Sequence, residues 1–264
     1  MGIDPTAQIH PSAHVEAGAT IGPGCRVGPF CLIGADVTLA AGVEVKSHAV
    51  VTGLTEIGAG TQIFPFATLG EVPQDLKFKG EKTRLIVGAR NRIREHVTMN
   101  TGTDGGGGVT RIGDDGLFMA GAHVAHDCQI GNRVILVNNA ALAGHCVLED
   151  EVIIGGLSGV HQFVRIGHGA MIGAVTMVTA DVIPHGLVQG PRGQLDGLNL
   201  VGLKRRGADR ADIVALRDLV EALGSGSFRE TARQRADLGS DSAYVLEVLE
   251  FILGPSDRSF LSPR

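Results

Sequence analysis

Residues 9–45 read IHPSAH VEAGAT IGPGCR VGPFCL IGADVT LAAGVE V, spaced here in sixes, and an aliphatic residue opens every block. The same phase continues through Val51, Ile57, Ile63 and Leu69, then resumes after a break at Val87, Ile93 and Met99. It restarts one residue out of step at Ile112 and runs to Val178. Of the 26 steps, 24 are Ile, Leu or Val, which chance would not give a chain that is 44% hydrophobic. The second place of the hexad is Gly in 11 of 26 cases, Gly22, Gly28, Gly34, Gly131, Gly155 and Gly173 among them. Glycine there is read as supplying unusual backbone angles at corners. The fifth place is mostly small, and all four cysteines (Cys25, Cys31, Cys128, Cys146) fall on it, so they read as inward core residues. One aliphatic and one small inward residue per six describe a short strand and a corner. Three hexads close a triangular coil of eighteen residues, and coils stack as parallel strands about 4.8 Å apart. The spacing predicts an all-β solenoid.

Composition fits a narrow prism. Aromatics are 4% of the 264 residues, with no Trp, while Gly reaches 39. A net charge of −5 argues against a nucleic-acid binder, which needs a basic surface. No apolar run approaches the length that spans a bilayer, and the opening MGIDPTAQIH lacks the basic and apolar segments of a secretory leader. The expectation is a soluble, cytoplasmic protein. The hexads end at Val182 or Ile183, before Pro184, and 190–197 reads as a Gly/Pro-rich connection. From about residue 208 the spacing turns helical, at Ile213, Leu216, Val220 and Leu223, then Tyr244, Leu246, Leu249 and Leu253. The chain divides into a solenoid over 1–190 and a linker with a helical appendage over 191–264, which could cap the open prism end.

Two breaks leave the prism. Residues 71–84 (EVPQDLKFKGEKTR) carry Gln74, Asp75 and Lys77; residues 103–111 (TDGGGGVTR) lack the lysine of a phosphate cradle and read as a flexible loop. Polar chemistry collects in AHVAHDC (122–128), AGHC (143–146) and VHQF (160–163). An eighteen-residue coil stacks His126, Gly144 and Gln162 in one column and sets His145 one rung above Asp127, with His123 and His161 close by. His10, His14, His48 and His168 read instead as solvated surface groups. A histidine can take a proton near neutral pH, an adjacent carboxylate can fix its tautomer, and a glycine can offer an unobstructed N–H to an oxyanion. No Ser or Cys stands in the column, so direct transfer with general-base help fits better than a covalent intermediate. Clustered imidazoles also admit a metal site, as in the hexapeptide-repeat carbonic anhydrases.

The six-residue pattern resembles the left-handed parallel β-helix of hexapeptide-repeat proteins. With LGEVPQDLKFKGE (69–81), RNRIRE (90–95), AHVAHDC, GNR (131–133), LAGH (142–145), VHQF and NLVGLKRRG (199–207), the chain resembles the bacterial UDP-N-acetylglucosamine O-acyltransferases of lipid A biosynthesis. That resemblance implies a left-handed β-helix with a C-terminal helical appendage, assembled as a homotrimer. It implies transfer of a 3-hydroxyacyl chain from acyl carrier protein to the glucosamine 3-hydroxyl of UDP-N-acetylglucosamine, with no metal and no cofactor beyond the donor's phosphopantetheine. A 3-amino sugar nucleotide is an alternative acceptor. His126 would be the base, Asp127 its orienting carboxylate and Gly144 the oxyanion donor. Gln74, Asp75, Lys77, His123, His145, His161 and Gln162 would line the sugar and acyl sites, and Asn199, Arg205 and Arg206 would meet uridine and diphosphate. Ala174 stands at the position that measures acyl length, Asn100 replaces a histidine of some members, and Val201 replaces a glutamate.

Overall fold

The computed structural model describes residues 2–256 and 258–263. Each coil lays one short strand on each of three faces, beginning with Gln8–Ile9, His14–Val15 and Thr20–Ile21. Face one is an eleven-stranded sheet that ends with Gly186–Gln189 and Gln194–Leu198; face two has nine strands up to Met177–Val178, and face three eight up to Arg165–Ile166. Pairing is parallel and eighteen residues apart, as in Gln8 opposite Arg26 and Ile135 opposite Ile153. First-place aliphatics such as Ile33, Ile63 and Leu136, and fifth-place Cys25, Cys31, Cys128 and Cys146, are all buried. No helix is long and apolar enough to cross a membrane among the described residues.

The unusual backbone angles fall elsewhere than expected. Gly22, Gly28, Gly34, Gly131, Gly155 and Gly173 have ordinary φ; positive φ belongs to the fourth place, held by Phe30 (57°), His48 (61°), Asp127 (60°) and His145 (63°) among others. Left-handed backbone costs a non-glycine residue roughly 1 kcal/mol or more. The ladder offsets it, because such N–H groups reach the coil beneath, as His145 N–H reaches the His126 carbonyl at 2.9 Å. Second-place glycines serve close approach instead. A Cβ on Gly155 would lie 2.5 Å from the Gly173 carbonyl carbon and the Ala174 nitrogen of the next coil.

One coil departs from the aliphatic rule, and its neighbours compensate. Phe118 is fully buried at a first place. Fifth-place Gly116 leaves room for its ring: a Cβ there would meet Phe118 Cε2 at 2.8 Å and Asn91 Oδ1 at 2.7 Å. Asn91, also buried, donates to the carbonyls of Gly88 and Gly113 at 2.9 Å and accepts from the Gly116 N–H at 2.7 Å. No polar atom of that inserted amide is left unmet.

The C-terminal part corrects four expectations. Residues 190–197 are not a plain connection, since Gln194–Leu198 pairs antiparallel with Gly186–Gln189 and extends face one. The helices begin earlier than 208: α1 spans Leu200–Arg205, α2 Arg210–Gly224, α3 Phe228–Leu238 and α4 Ala243–Leu253. The buried stripe of α4 is Val245, Val248, Leu249 and Ile252, while Leu246 and Leu253 face outward, because the helix turns its denser aliphatic row inward where it packs on α2 and α3, and Tyr244, Glu247 and Phe251 meet the prism. These helices share one continuous core with Ile166, Ile172 and Val188 of the last coils. His168 is no solvated histidine. Its Nδ1 meets Glu247 of α4 at 2.6 Å, and the buried His185 meets the other Glu247 oxygen through Nε2 at 2.7 Å. Burial would raise the Glu247 carboxyl, but hydrogen bonds from His168 and His185 hold it down at about 2. The Glu247 bond raises the His168 imidazole, while burial lowers that of His185.

Two outcomes follow for stability. Gly116→Ala lowers the thermal midpoint through overpacking worth about 1–3 kcal/mol, and adding Phe118→Leu recovers part of the loss in a double-mutant cycle. Additive losses would show that Gly116 does not accommodate the ring. Glu247→Gln lowers the midpoint by roughly 3–10 °C near pH ~5.5, from charged hydrogen bonds of about 1.5–3 kcal/mol. Glu247 contributes above the ordinary carboxylate value of ~4.3 and loses its contribution as pH falls towards its folded value; His168 contributes below ~6.5 and loses it as pH rises through its raised value. Melting across pH checks that the gap narrows in both directions.

Candidate active site

At the corner between faces two and three, the strand His123–Val124 ends and the chain turns through His126 and Asp127. Both residues are buried, at 5% and 4% exposure, although corners of this prism are otherwise mostly open. Asp127 takes the left-handed conformation (φ 60°), which turns its carboxylate back under its neighbour's ring. His126 Nδ1 lies 2.8 Å from Asp127 Oδ2. A carboxylate only accepts there, so Nδ1 carries the proton and Nε2 is left with its lone pair.

The glycine-rich break holds this carboxylate. Thr103 donates its N–H to Asp127 Oδ1 at 2.8 Å and its hydroxyl to Oδ2 at 2.6 Å. The Thr110 hydroxyl accepts the Asp127 N–H at 2.8 Å. Residues 104–106 form a 3₁₀ turn against the carboxylate, and a Cβ on Gly106 would come within 2.1 Å of Asp127 Cγ. The segment expected as a flexible loop is therefore a fitted clamp; Gly106 is small because Asp127 occupies the space, while Gly107 and Gly108 hold positive φ. Each Asp127 oxygen is already engaged, so the His126–Asp127–His145 group is a hydrogen-bonded dyad with a neighbour rather than an open set of metal ligands.

One rung up, Gly144 lies over the His126 ring. A Cβ there would stand 2.4 Å from Cε1 and 2.6 Å from Nε2, so only glycine leaves the proton-accepting edge uncovered. Among the described residues no group accepts the Gly144 N–H. His145 sits edge-on to His126, with ring centroids 5.0 Å apart, and stacks on Phe163 at 4.3 Å. Its Nδ1 is 3.7 Å from Asp127 Oδ2. His123 Nδ1 pairs with the Thr98 hydroxyl at 2.7 Å. Burial lowers both imidazoles: for His123 the neighbouring His126 adds to the effect, and for His145 the Asp127 charge opposes it. Both flank the dyad as neutral rings near pH ~7.

A groove of about 420 Å³ opens on His126, and Gln74, His123, Gly144, His161 and Gln162 line it with a floor of Ala141, Gly159 and Met177. The column arithmetic thus holds in space. Asp75 and Lys77 lie beside the groove on the 72–83 loop, the Lys77 N–H bonding Asp75 Oδ1 at 2.9 Å, and their charges act on His145. Asn100 is buried and donates to the carbonyls of Glu71 and Val72, securing the root of that loop.

Four expected residues stand apart from the groove within one chain. Ala174 is exposed at the corner between faces one and two, three residues before Met177. Asn199 caps α1, accepting from Gly202 N–H at 3.0 Å, and donates to the Gly169 carbonyl at 3.0 Å. Arg205 is exposed. Arg206 is not a free phosphate fork: it donates to His185 Nδ1 at 3.0 Å and pairs with Glu151 at 3.4 Å. A guanidinium donating to that ring nitrogen also disfavours a metal on His168, His185 and Glu247, since a metal-bound imidazole needs an acceptor at its other nitrogen. Sequence reasoning missed Thr103, Gly106, Thr110 and Met177. The one-residue slip in phase after Met99 was the signal for the first three, marking where the chain leaves the ladder and returns displaced.

The lining of the groove offers a base with a free lone pair, an unobstructed N–H beside it and no hydroxyl or thiol nucleophile, an arrangement suited to activating a substrate hydroxyl for attack on a carbonyl. Comparison with known proteins agrees. A model of bacterial transferase hexapeptides (six repeats) matches residues 3–35, and one of UDP-N-acetylglucosamine O-acyltransferase, domain 2, matches residues 181–261. The acyl-[acyl-carrier-protein]–UDP-N-acetylglucosamine O-acyltransferase of Paracoccus denitrificans is 80% identical over 201 residues, covering 76% of this chain and 77% of its own. Its Rhizobium etli counterpart is 52% identical over 229 residues, covering 86% and 84%. The structure of a UDP-N-acetylglucosamine acyltransferase from Campylobacter jejuni superposes with a TM-score of 0.90 at 36% identity, covering 97% of this chain and all of the other. The fold is thus the left-handed parallel β-helix with C-terminal helices, and the chain belongs to the family of acyl-[acyl-carrier-protein]–UDP-N-acetylglucosamine O-acyltransferases.

Proposed function

We propose that this protein transfers a 3-hydroxyacyl chain from acyl carrier protein to the glucosamine 3-hydroxyl of UDP-N-acetylglucosamine, the first step of lipid A biosynthesis. The observation that carries the reading is the clamped His126–Asp127 dyad beneath Gly144 at the mouth of a groove. His126 Nε2 takes the proton from the sugar 3-hydroxyl as its oxygen attacks the thioester carbonyl. The tetrahedral oxyanion faces the Gly144 N–H, and Asp127 stabilises the imidazolium. When the intermediate collapses, the C–S bond breaks and the phosphopantetheine thiol receives the proton from His126. The sugar ester and the free carrier thiol are the products, and no further cofactor takes part.

Around this centre, His123, His145, His161 and Gln162 position the sugar, with Gln74, Asp75 and Lys77 contributed by the 72–83 loop. Asn199 and Arg205 serve the nucleotide, and Arg206 acts beside them by bracing His185. Assembly as a homotrimer, as the resemblance implies, would cover an apolar stripe on the corner between faces one and two, where Phe30, Phe66, Leu157 and Val175 are exposed. It would also cover Leu76, which stands fully exposed on the 72–83 loop.

Purified protein, UDP-N-acetylglucosamine and 3-hydroxyacyl carrier-protein thioesters, followed by mass spectrometry, give a singly acylated sugar nucleotide. His126→Ala loses about 10²–10⁴-fold in kcat; retained activity would refute its role as base. Absence of product from folded protein would turn the reading to a 3-amino sugar acceptor. Thr103→Val lowers kcat about tenfold or more with little change in KM, because it removes one charged hydrogen bond behind the dyad and touches no substrate. Light scattering coupled to size exclusion returns three times the 27.4 kDa chain mass; a monomer mass at assay concentration would exclude the trimer.

A further inference from the structure

We infer that Met177 closes the far end of the acyl groove and sets the length of chain the protein accepts, an inference that rests on the acyl-transfer reading above. On face two the outward residues stand in one column, Thr98 opposite His123, His123 opposite Ala141, Ala141 opposite Gly159 and Gly159 opposite Met177. Going up from the reacting corner, the groove floor is therefore Ala141 and then Gly159, the smallest side chains available, followed by a methionine. The two small residues leave a smooth channel over backbone, which suits a methylene chain. Met177 ends it. Its side chain folds down one rung, so that a Cβ on Gly159 would find Met177 Cε at 3.1 Å and Sδ at 3.4 Å.

The obstruction is anchored from behind. Met177 N–H donates to the Pro191 carbonyl at 3.3 Å, and its own carbonyl accepts from the Gly193 N–H at 2.8 Å. The backbone of the stop is thus fixed by the turn before the last strand, while Met177, 48% exposed, keeps a thioether free to choose rotamers over Gly159. From the Gly144 rung to the Met177 rung is two steps, about 10 Å of channel. Ala174 lies in the same coil, at the same height, but its methyl points from the neighbouring corner and lines no part of the groove within the chain. Both residues can register where a chain ends, yet only Met177 stands on the floor along which it runs.

The test compares kcat/KM across an even-numbered series of 3-hydroxyacyl carrier-protein donors for the intact protein and three variants. Met177→Gly, and to a smaller degree Met177→Ala, moves the preferred donor at least one two-carbon step longer. The longer-to-shorter ratio rises about tenfold or more, as expected for methylenes entering an apolar pocket. Ala174→Gly moves that ratio less than Met177→Gly does. An unchanged profile in both Met177 variants, each with a thermal midpoint near that of the parent, overturns the inference. So does a larger shift from Ala174→Gly, which would place the gauge at the corner. If the parent protein forms no ester with any donor, the acyl-transfer reading itself fails, and the assignment of Met177 falls with it.

Discussion

Everything in this molecule depends on the ladder that locks each residue above the one eighteen before it. Parallel hydrogen bonds at every rung, such as Gly131 N–H to the Leu148 carbonyl at 2.8 Å, leave no freedom to slide. A side chain's neighbours are thereby fixed by arithmetic rather than by long-range folding choices. The ladder also lets non-glycine residues hold left-handed angles at the fourth place, because bonds to the coil beneath over-determine the corner. Asp127 exploits this: an otherwise unfavourable conformation aims its carboxylate under His126.

Where the ladder is interrupted, the chain builds function. Both breaks leave from the corner between faces two and three, after Thr68–Glu71 and after Thr98–Asn100, in the two coils directly below the dyad. The upper break folds back on Asp127 through Thr103, and the lower one brings Gln74 to the groove. A rigid prism holds His126 and the Gly144 N–H, and two excursions supply the clamp and the rim. That division suits catalysis, since the groups that must not move stand on the most constrained backbone.

Much of this could be read from residue order. The column through His126, Gly144 and Gln162, and the proximity of His145 to Asp127, need only a constant coil length, and the space group of side chains they form is the one observed. Glycine was misread for a physical reason: at the second place it answers to the closeness of the next coil, not to its own φ, and periodicity carries no sign of which applies. The clamp was hidden because Thr103 and Gly106 lie off the period, where spacing predicts nothing. Met177 was hidden because an outward residue on a solenoid face has no sequence mark until its column is seen. His168 was placed on the surface because the partner that draws it in, Glu247, comes from a helix whose docking no local pattern specifies, and Arg206 was assigned to the diphosphate because its pairing with His185 and Glu151 joins residues 21 and 55 positions apart.

The constant coil also governs how the length of such a chain can change over time. Loss of one residue anywhere between Ile112 and Val178 would turn every later inward aliphatic to a corner, exchanging core for surface through all the coils above. Only within 72–83 and 101–108, where the backbone is off the ladder, can single residues be gained or lost without that cascade. Elsewhere the permitted unit is a whole coil, which would move the helical cap relative to the dyad by about 4.8 Å at a time. The separation between chemistry and cap is therefore a stepped quantity, and finer adjustment is left to the side chains between them.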